Sequence, residues 1–279
     1  MIMERTLTPD TEIILRDLQA LLNYHRLSGI ESYPATEEIR GLLRMTTGMD
    51  LPQEVRRQRP PTAIGSAEKT VRPVEPPKLK RESSQRIQVS ALHDIREEVM
   101  ACNGCALSEK RVVPVPGGGA EKAKLLIVGD WLALVGGQKS PVGCVFGIEQ
   151  DRMLGKMLEA IQLPKNNVFV TNVIKCGIAD SCQPKAEHVR ACVSFLHRQI
   201  VSIQPEVILS MGLIATRALL NRREPLSKLR GQLHVCSGPN DRKIPLIATY
   251  HPTFLLQNPE MKKATWLDLQ LLARQLGLA

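Results

Sequence analysis

Four short apolar runs constrain this chain more than any other feature: Lys124–Asp130, Val168–Ile174, Val207–Gly212 and Pro245–Tyr250. Each has the length of one strand and is continuously apolar rather than alternating. Helix-length segments separate them, at roughly 151–161, 185–203 and 212–221, with another near 260–276. A strand that is apolar on both sides must be covered on both sides. Strands that alternate with helices pair in parallel. The pattern predicts an α/β fold: a three-layer α/β/α arrangement around a central four-stranded parallel sheet. A helix over Leu92–Met100 leads into it. No internal repeat is present.

This domain is expected to fill residues 91–279. Residues 1–50 read as a helical N-terminal segment, with Ile14, Leu15, Leu18, Leu21 and Leu22 at helical spacing and a second short helix near 36–45. Two such helices cannot bury a core alone, so they are expected to pack on the domain or on a protein partner. Residues 51–90 mix Pro60, Pro61, Pro76 and Pro77 with Arg56, Arg57, Lys78 and Arg81. Proline and charge without apolar periodicity predict a disordered linker. It serves either as a solvated spacer or as a tether that adds phosphate contacts.

The net charge of +9 favours a polyanionic partner, nucleic acid before an anionic membrane surface. Residues 93–279 carry 23 basic and 16 acidic side chains, hence +7. No apolar run approaches the ~18 residues of a membrane span. Met1–Asp10 lacks the pattern of an export signal, so a cytoplasmic monomer is expected. The seven cysteines are odd in number, which disfavours a disulfide framework and points to metal ligation or buried thiols.

Ligands of open parallel sheets bind beyond the carboxyl ends of the strands. Here those ends read Gly129-Asp130-Trp131, Thr171-Asn172-Val173, Met211-Gly212 and Tyr250-His251-Pro252. An acid, an amide, a glycine and an imidazole thus converge on one rim. A second constellation is Cys102-x-x-Cys105 with Cys176 and Cys192. Four thiolates bind one zinc or one [4Fe–4S] cluster, and spacing does not choose between them. Cys182 is a rival fourth ligand; Cys144 and Cys236 look structural.

In their order along the chain these pieces resemble family 4 uracil-DNA glycosylases, the iron–sulfur type. The most specific matches are Thr171-Asn172-Val173-Ile174-Lys175-Cys176 and Tyr250-His251-Pro252, followed by Leu255-Leu256 and Trp266-Leu267-Asp268-Leu269. The resemblance covers about residues 92–279. It implies hydrolysis of the N-glycosidic bond of uracil in DNA, the entry step of base excision repair. It implies a [4Fe–4S] cluster on Cys102, Cys105, Cys176 and Cys192 rather than on Cys182. Phe146 would stack on the flipped base and Asn172 would read its edge. His251 would stabilise the leaving uracil, and Asp130 would orient water or cap a loop. Gly129 and Trp131 would line the base pocket. Leu255, Leu256 or Phe254 would wedge the duplex. Lys175, Arg217, Lys228, Arg230, Lys262 and Lys263 would neighbour phosphates. The family reads Gly-Glu-Ala-Pro-Gly where this chain reads Gly129-Asp130-Trp131-Leu132-Ala133. That departure makes a catalytically weak or altered-specificity DNA-binding relative the alternative.

Overall fold

The computed structural model describes residues 91–137, 141–238 and 242–278. The expected N-terminal helices and linker lie outside the described residues. In chain order the helices are α1 (Leu92–Ala101), α2 (Ile148–Ala160), α3 (Ala186–Ile203), α4 (Leu213–Leu220), α5 (Leu226–Leu229), α6 (Pro252–Gln257) and α7 (Lys262–Gln275). The strands are β1 (Arg111–Pro114), β2 (Gly118–Gly119), β3 (Leu125–Gly129), β4 (Ala133–Leu134), β5 (Val168–Asn172), β6 (Cys176–Ala179), β7 (Val207–Met211), β8 (Leu233–Ser237) and β9 (Lys243–Thr249).

The four apolar runs form a parallel centre in the order β5-β3-β7-β9. Two antiparallel edge strands that the apolar pattern did not reveal, β2 beside β5 and β8 beside β9, extend the sheet to six. The centre is buried on both faces, as unbroken apolar runs require. On one face Leu126, Val128, Ile208 and Ala248 pack with Leu196 and Ile200 of α3 and Ala215 and Leu219 of α4. On the other, Leu125, Ile127, Leu209 and Ile247 pack with Leu154 and Leu158 of α2 and Leu269 and Leu272 of α7. The three layers are therefore present. A separate small sheet, β1-β6-β4, lies past the end of β5. Among the described residues no helix is long and apolar enough to cross a membrane.

Two devices fix the carboxyl rim of the sheet. Parallel register sets Asn172 beside Gly129, Gly129 beside Met211 and Met211 beside Thr249. The end of β9 is clamped from α7: Asp268, fully buried, accepts from Thr249 Oγ1 at 2.7 Å and from Arg230 Nε and Nη2 at 3.0 and 2.9 Å. Arg230 also lies over the Tyr250 ring, 5.3 Å from its centroid. Arg230 is thus an internal clamp and not the phosphate neighbour expected. Removing one partner of a buried ion pair strands the other charge. Arg230→Met is expected to destabilise the domain by about 3 kcal/mol, read from urea unfolding.

Candidate active site

Asn172 ends β5, and its side chain is buried at the rim. Its Nδ2 donates to the carbonyl of Val145 at 2.6 Å, which fixes the amide orientation. Its Oδ1 is buried without a partner. The loop before α2 is held from the other side by Asp151, whose Oδ2 and Oδ1 accept from the backbone N–H of Val145 and Phe146 at 2.9 and 3.1 Å. Asp151 stands in the first turn of α2. Nothing in the local sequence marked it, because its partners lie one turn upstream in a loop.

That loop delivers Phe146 to the rim. The Phe146 ring is 1% exposed and lies 4.8 Å from the His251 ring, centroid to centroid, tilted by 59°. Gly129 makes this convergence sterically possible. A Cβ there would meet Phe146 Cε1 at 2.3 Å and Asn172 Oδ1 at 2.5 Å. Phe146, Asn172, His251 and Gly129 are therefore brought together. Gly129 acts by having no side chain.

His251 caps α6, and its Nδ1 accepts the backbone N–H of Thr253 at 3.3 Å. A neutral imidazole that accepts at Nδ1 carries its proton on Nε2. Burial pushes the His251 pKa down to about 3, so the ring is neutral. Its Nε2 is buried and unpartnered. The rim thus holds an unpaired acceptor, Asn172 Oδ1, and an unpaired donor, His251 Nε2–H. Native interiors rarely leave such groups unsatisfied, so these mark a place for a polar ligand.

Two candidate residues go elsewhere. Asp130 turns to the N-terminus of α4, where its Oδ1 accepts from Ala215 N at 2.7 Å and the Leu213 and Ile214 amides also favour its anion. Of the two roles expected of it, the structure shows capping, at a helix start. A short acidic side chain can satisfy the orphan amides of a helix start. Gly212, at φ 105°, leaves room for that carboxylate, since a Cβ would lie 2.4 Å from Asp130 Oδ2. Trp131 packs instead against the buried group Leu107, Ile174, Cys176, Ile178 and Cys192. The expectation that it lines the base pocket is corrected accordingly. The chain leaves β3 hydrogen-bonded along residues 173–178, which carries residue 131 toward the cysteines.

The thiols converge through helix packing. α1 lies on α3, joined by Glu98 and Arg198, which sets Cys102 at the end of α1 near Cys192 within α3. Cys176 opens β6, and Cys105 packs on the same apolar group. Burial, then repulsion from Cys192 and Cys105, pushes the Cys176 thiol up to about 11, with Arg111 opposing. Burial likewise raises Cys192, against a hydrogen bond from the Lys175 amide and with repulsion from Cys105 and Cys102. Cys176 and Cys192 thus lie near enough to other thiols to be raised by them, and thiolates so placed are the donors that a bound cation relieves. Among the described residues no three His, Cys, Asp or Glu side chains stand close enough to share a single metal ion. Cys182 also packs at this group.

A model of the uracil DNA glycosylase superfamily matches residues 116–270, more than half of the chain. The chain belongs to that superfamily. Within it, the chain is 31% identical to the type-4 uracil-DNA glycosylase of Sulfurisphaera tokodaii over 180 residues, 63% of this chain and 80% of that protein. It is 31% identical to the type-4 enzyme of Archaeoglobus fulgidus over 179 residues, 63% and 88% respectively. It is 30% identical to that of Pyrobaculum aerophilum over 184 residues, 64% and 91%.

For this uracil-DNA glycosylase fold the cap at α4 has a measurable signature. Burial pushes the Asp130 carboxyl up to about 7, in spite of the amides that favour the anion. A carboxyl whose pKa rises on folding takes up a proton between about pH 4 and pH 7, so its contribution is greatest at low pH and is lost as pH rises. Asp130→Asn is expected to remove this slope. The stability difference between wild type and variant should change by up to about 1.4 kcal/mol per pH unit across that window, read from denaturant midpoints.

Proposed function

We propose that the chain is a uracil-DNA glycosylase that hydrolyses the N-glycosidic bond of uracil in DNA, as its type-4 relatives are named. The pair of unpaired polar atoms at the rim carries this reading. Uracil offers N3–H as a donor and O4 as an acceptor. Asn172 answers with its free Oδ1 and with the second hydrogen of Nδ2, the first being held by Val145. Cytosine reverses both polarities and would leave buried groups facing like groups, a strong basis for rejection.

Extruding a base costs on the order of a few kcal/mol. Stacking on the ring of Phe146 returns about 1–3 kcal/mol. As the C1′–N1 bond breaks, its electron pair passes to the base and accumulates on O2. His251, already neutral, donates Nε2–H to that oxygen without having to lose or gain a proton. Water then adds to C1′ and releases a proton. No lysine attacks the sugar in this scheme. Lys175 has a pKa lowered to about 7 by burial, but its Nζ donates to Thr171 Oγ1, to the Asn172 carbonyl and to Gln199 Oε1 at 2.7, 2.7 and 2.6 Å. It is 2% exposed. Lys175 is thus neither a phosphate contact nor a nucleophile; it fastens the peptide that bears the base-reading amide.

Cys102, Cys105, Cys176 and Cys192 would hold a [4Fe–4S] cluster. An all-thiol set supports iron–sulfur or zinc alike. The likeness to type-4 enzymes, the iron–sulfur kind of the resemblance, favours the cluster. The cluster would supply structural cross-linking between α1, β6 and α3. DNA would approach the rim beside α6. There Leu256 is 40% exposed while Phe254 and Leu255 are buried, so Leu256 is the wedge. Lys262 and Lys263 on the neighbouring α7 are exposed and suit phosphates.

The deciding experiment is release of uracil from a uracil-containing single-stranded oligonucleotide. Wild type should leave abasic sites, and borohydride should trap no covalent adduct. Absence of abasic product at stoichiometric protein would defeat the reading. His251→Ala should lower the single-turnover rate about 10²–10³-fold, the loss typical of one oxyanion donor. The pH profile of His251→Ala should run parallel to that of wild type through the neutral range, because His251 stays neutral there. Leu256→Ala should lower excision from duplex by roughly tenfold while sparing single strands, since only the duplex must be held open.

A further inference from the structure

We propose that Trp131 belongs to the cluster site: its indole Nε1–H donates a hydrogen bond to a sulfur of the group held by the four cysteines. This rests on the iron–sulfur reading above and goes beyond it by assigning a residue that is not a ligand.

Three observations converge on Trp131. Its ring packs on the apolar group that contains Cys176 and Cys192, and Cys105 packs on that same group. The Nε1 atom is buried and has no partner. An indole N–H is a donor only, so it needs an acceptor. The backbone fixes the placement: Ile174 N donates to the Asp130 carbonyl and Ile178 N to the Leu132 carbonyl, both at 3.1 Å. Residue 131 is thereby held alongside the segment that carries Cys176. Bare thiols leave the donor unmatched. A cluster brings inorganic sulfide into the space between the thiols, and sulfur accepts N–H bonds. The base-reading group of Phe146, Asn172 and His251 does not use this donor.

A donor to cluster sulfur favours the more reduced, more negative state and so raises the reduction potential. A bulky ring over the same sulfurs also restricts water. The test uses anaerobically purified full-length protein with its cluster. Pulsed EPR of the reduced cluster in protein labelled with 15N-indole tryptophan should show a nitrogen coupling and an exchangeable proton. Both should survive Trp266→Phe, because Trp266 lies in a different place, in the groove between α2 and α7. Both should vanish in Trp131→Phe. That variant should keep its iron and sulfide content and shift to a more negative potential. A fully loaded wild-type cluster with no nitrogen coupling overturns the role of Trp131 alone, even if the variant fails to fold. An unchanged potential and proton coupling in Trp131→Phe does the same. Wild type without iron and sulfide overturns the cofactor reading and this inference with it.

Discussion

The hydrogen bond from Asn172 Nδ2 to the Val145 carbonyl decides which way one amide faces, and with it which atom at the rim is left free to accept. An amide at a strand end can rotate by half a turn at little cost and exchange its donor for its acceptor. Val145 removes that freedom. Asp151 holds Val145 and Phe146 by their own N–H groups. Lys175 holds the peptide of Asn172 from within. The rim amide is thus preorganised by groups that stand behind it.

Cys176 follows Asn172 by four residues, and Lys175 between them faces inward. The Lys175 side chain serves the amide end, and its backbone N–H serves the Cys192 sulfur. Gln199 ties the arrangement down by accepting from Lys175 and donating to the Pro116 carbonyl at 2.6 Å. One turn of chain therefore joins the recognition end of the sheet to the thiol corner. The corner acts as a bracket for the rim.

The parallel centre was legible in the sequence because burial on both faces leaves unbroken apolar runs. The edges were not. β2 is Gly118-Gly119, with no side chain to show a pattern. β8 alternates, with Leu233 and Val235 exposed, and resembles a loop with scattered apolar residues. Asn172 and His251 were legible as rim residues because each stands at a strand end, whereas Phe146 was named only through the resemblance and reaches the rim on a loop. The directions of the Asp130 and Trp131 side chains were not legible, for a common reason. Proximity to a strand end fixes where a residue's backbone lies but not which way its side chain turns. Here the start of α4 captured the carboxylate and the cysteine corner captured the ring. Arg230, Asp268 and Asp151 depend on partners brought together only by folding, so no local motif announces them.

Two of the buried ionisable groups at the rim, Asp130 and His251, respond to acid in opposite senses. Asp130, with its pKa raised to about 7, gains protons on folding as the solution is acidified. His251, with its pKa lowered to about 3, must shed a proton to fold below about pH 6.5. Between about pH 6.5 and pH 4 the first strengthens the fold and the second weakens it, each by up to about 1.4 kcal/mol per unit. The two effects oppose each other. A buried imidazole kept free of its proton makes a fold acid-sensitive; the carboxyl that ties down the neighbouring helix acts in the opposite sense over the same range.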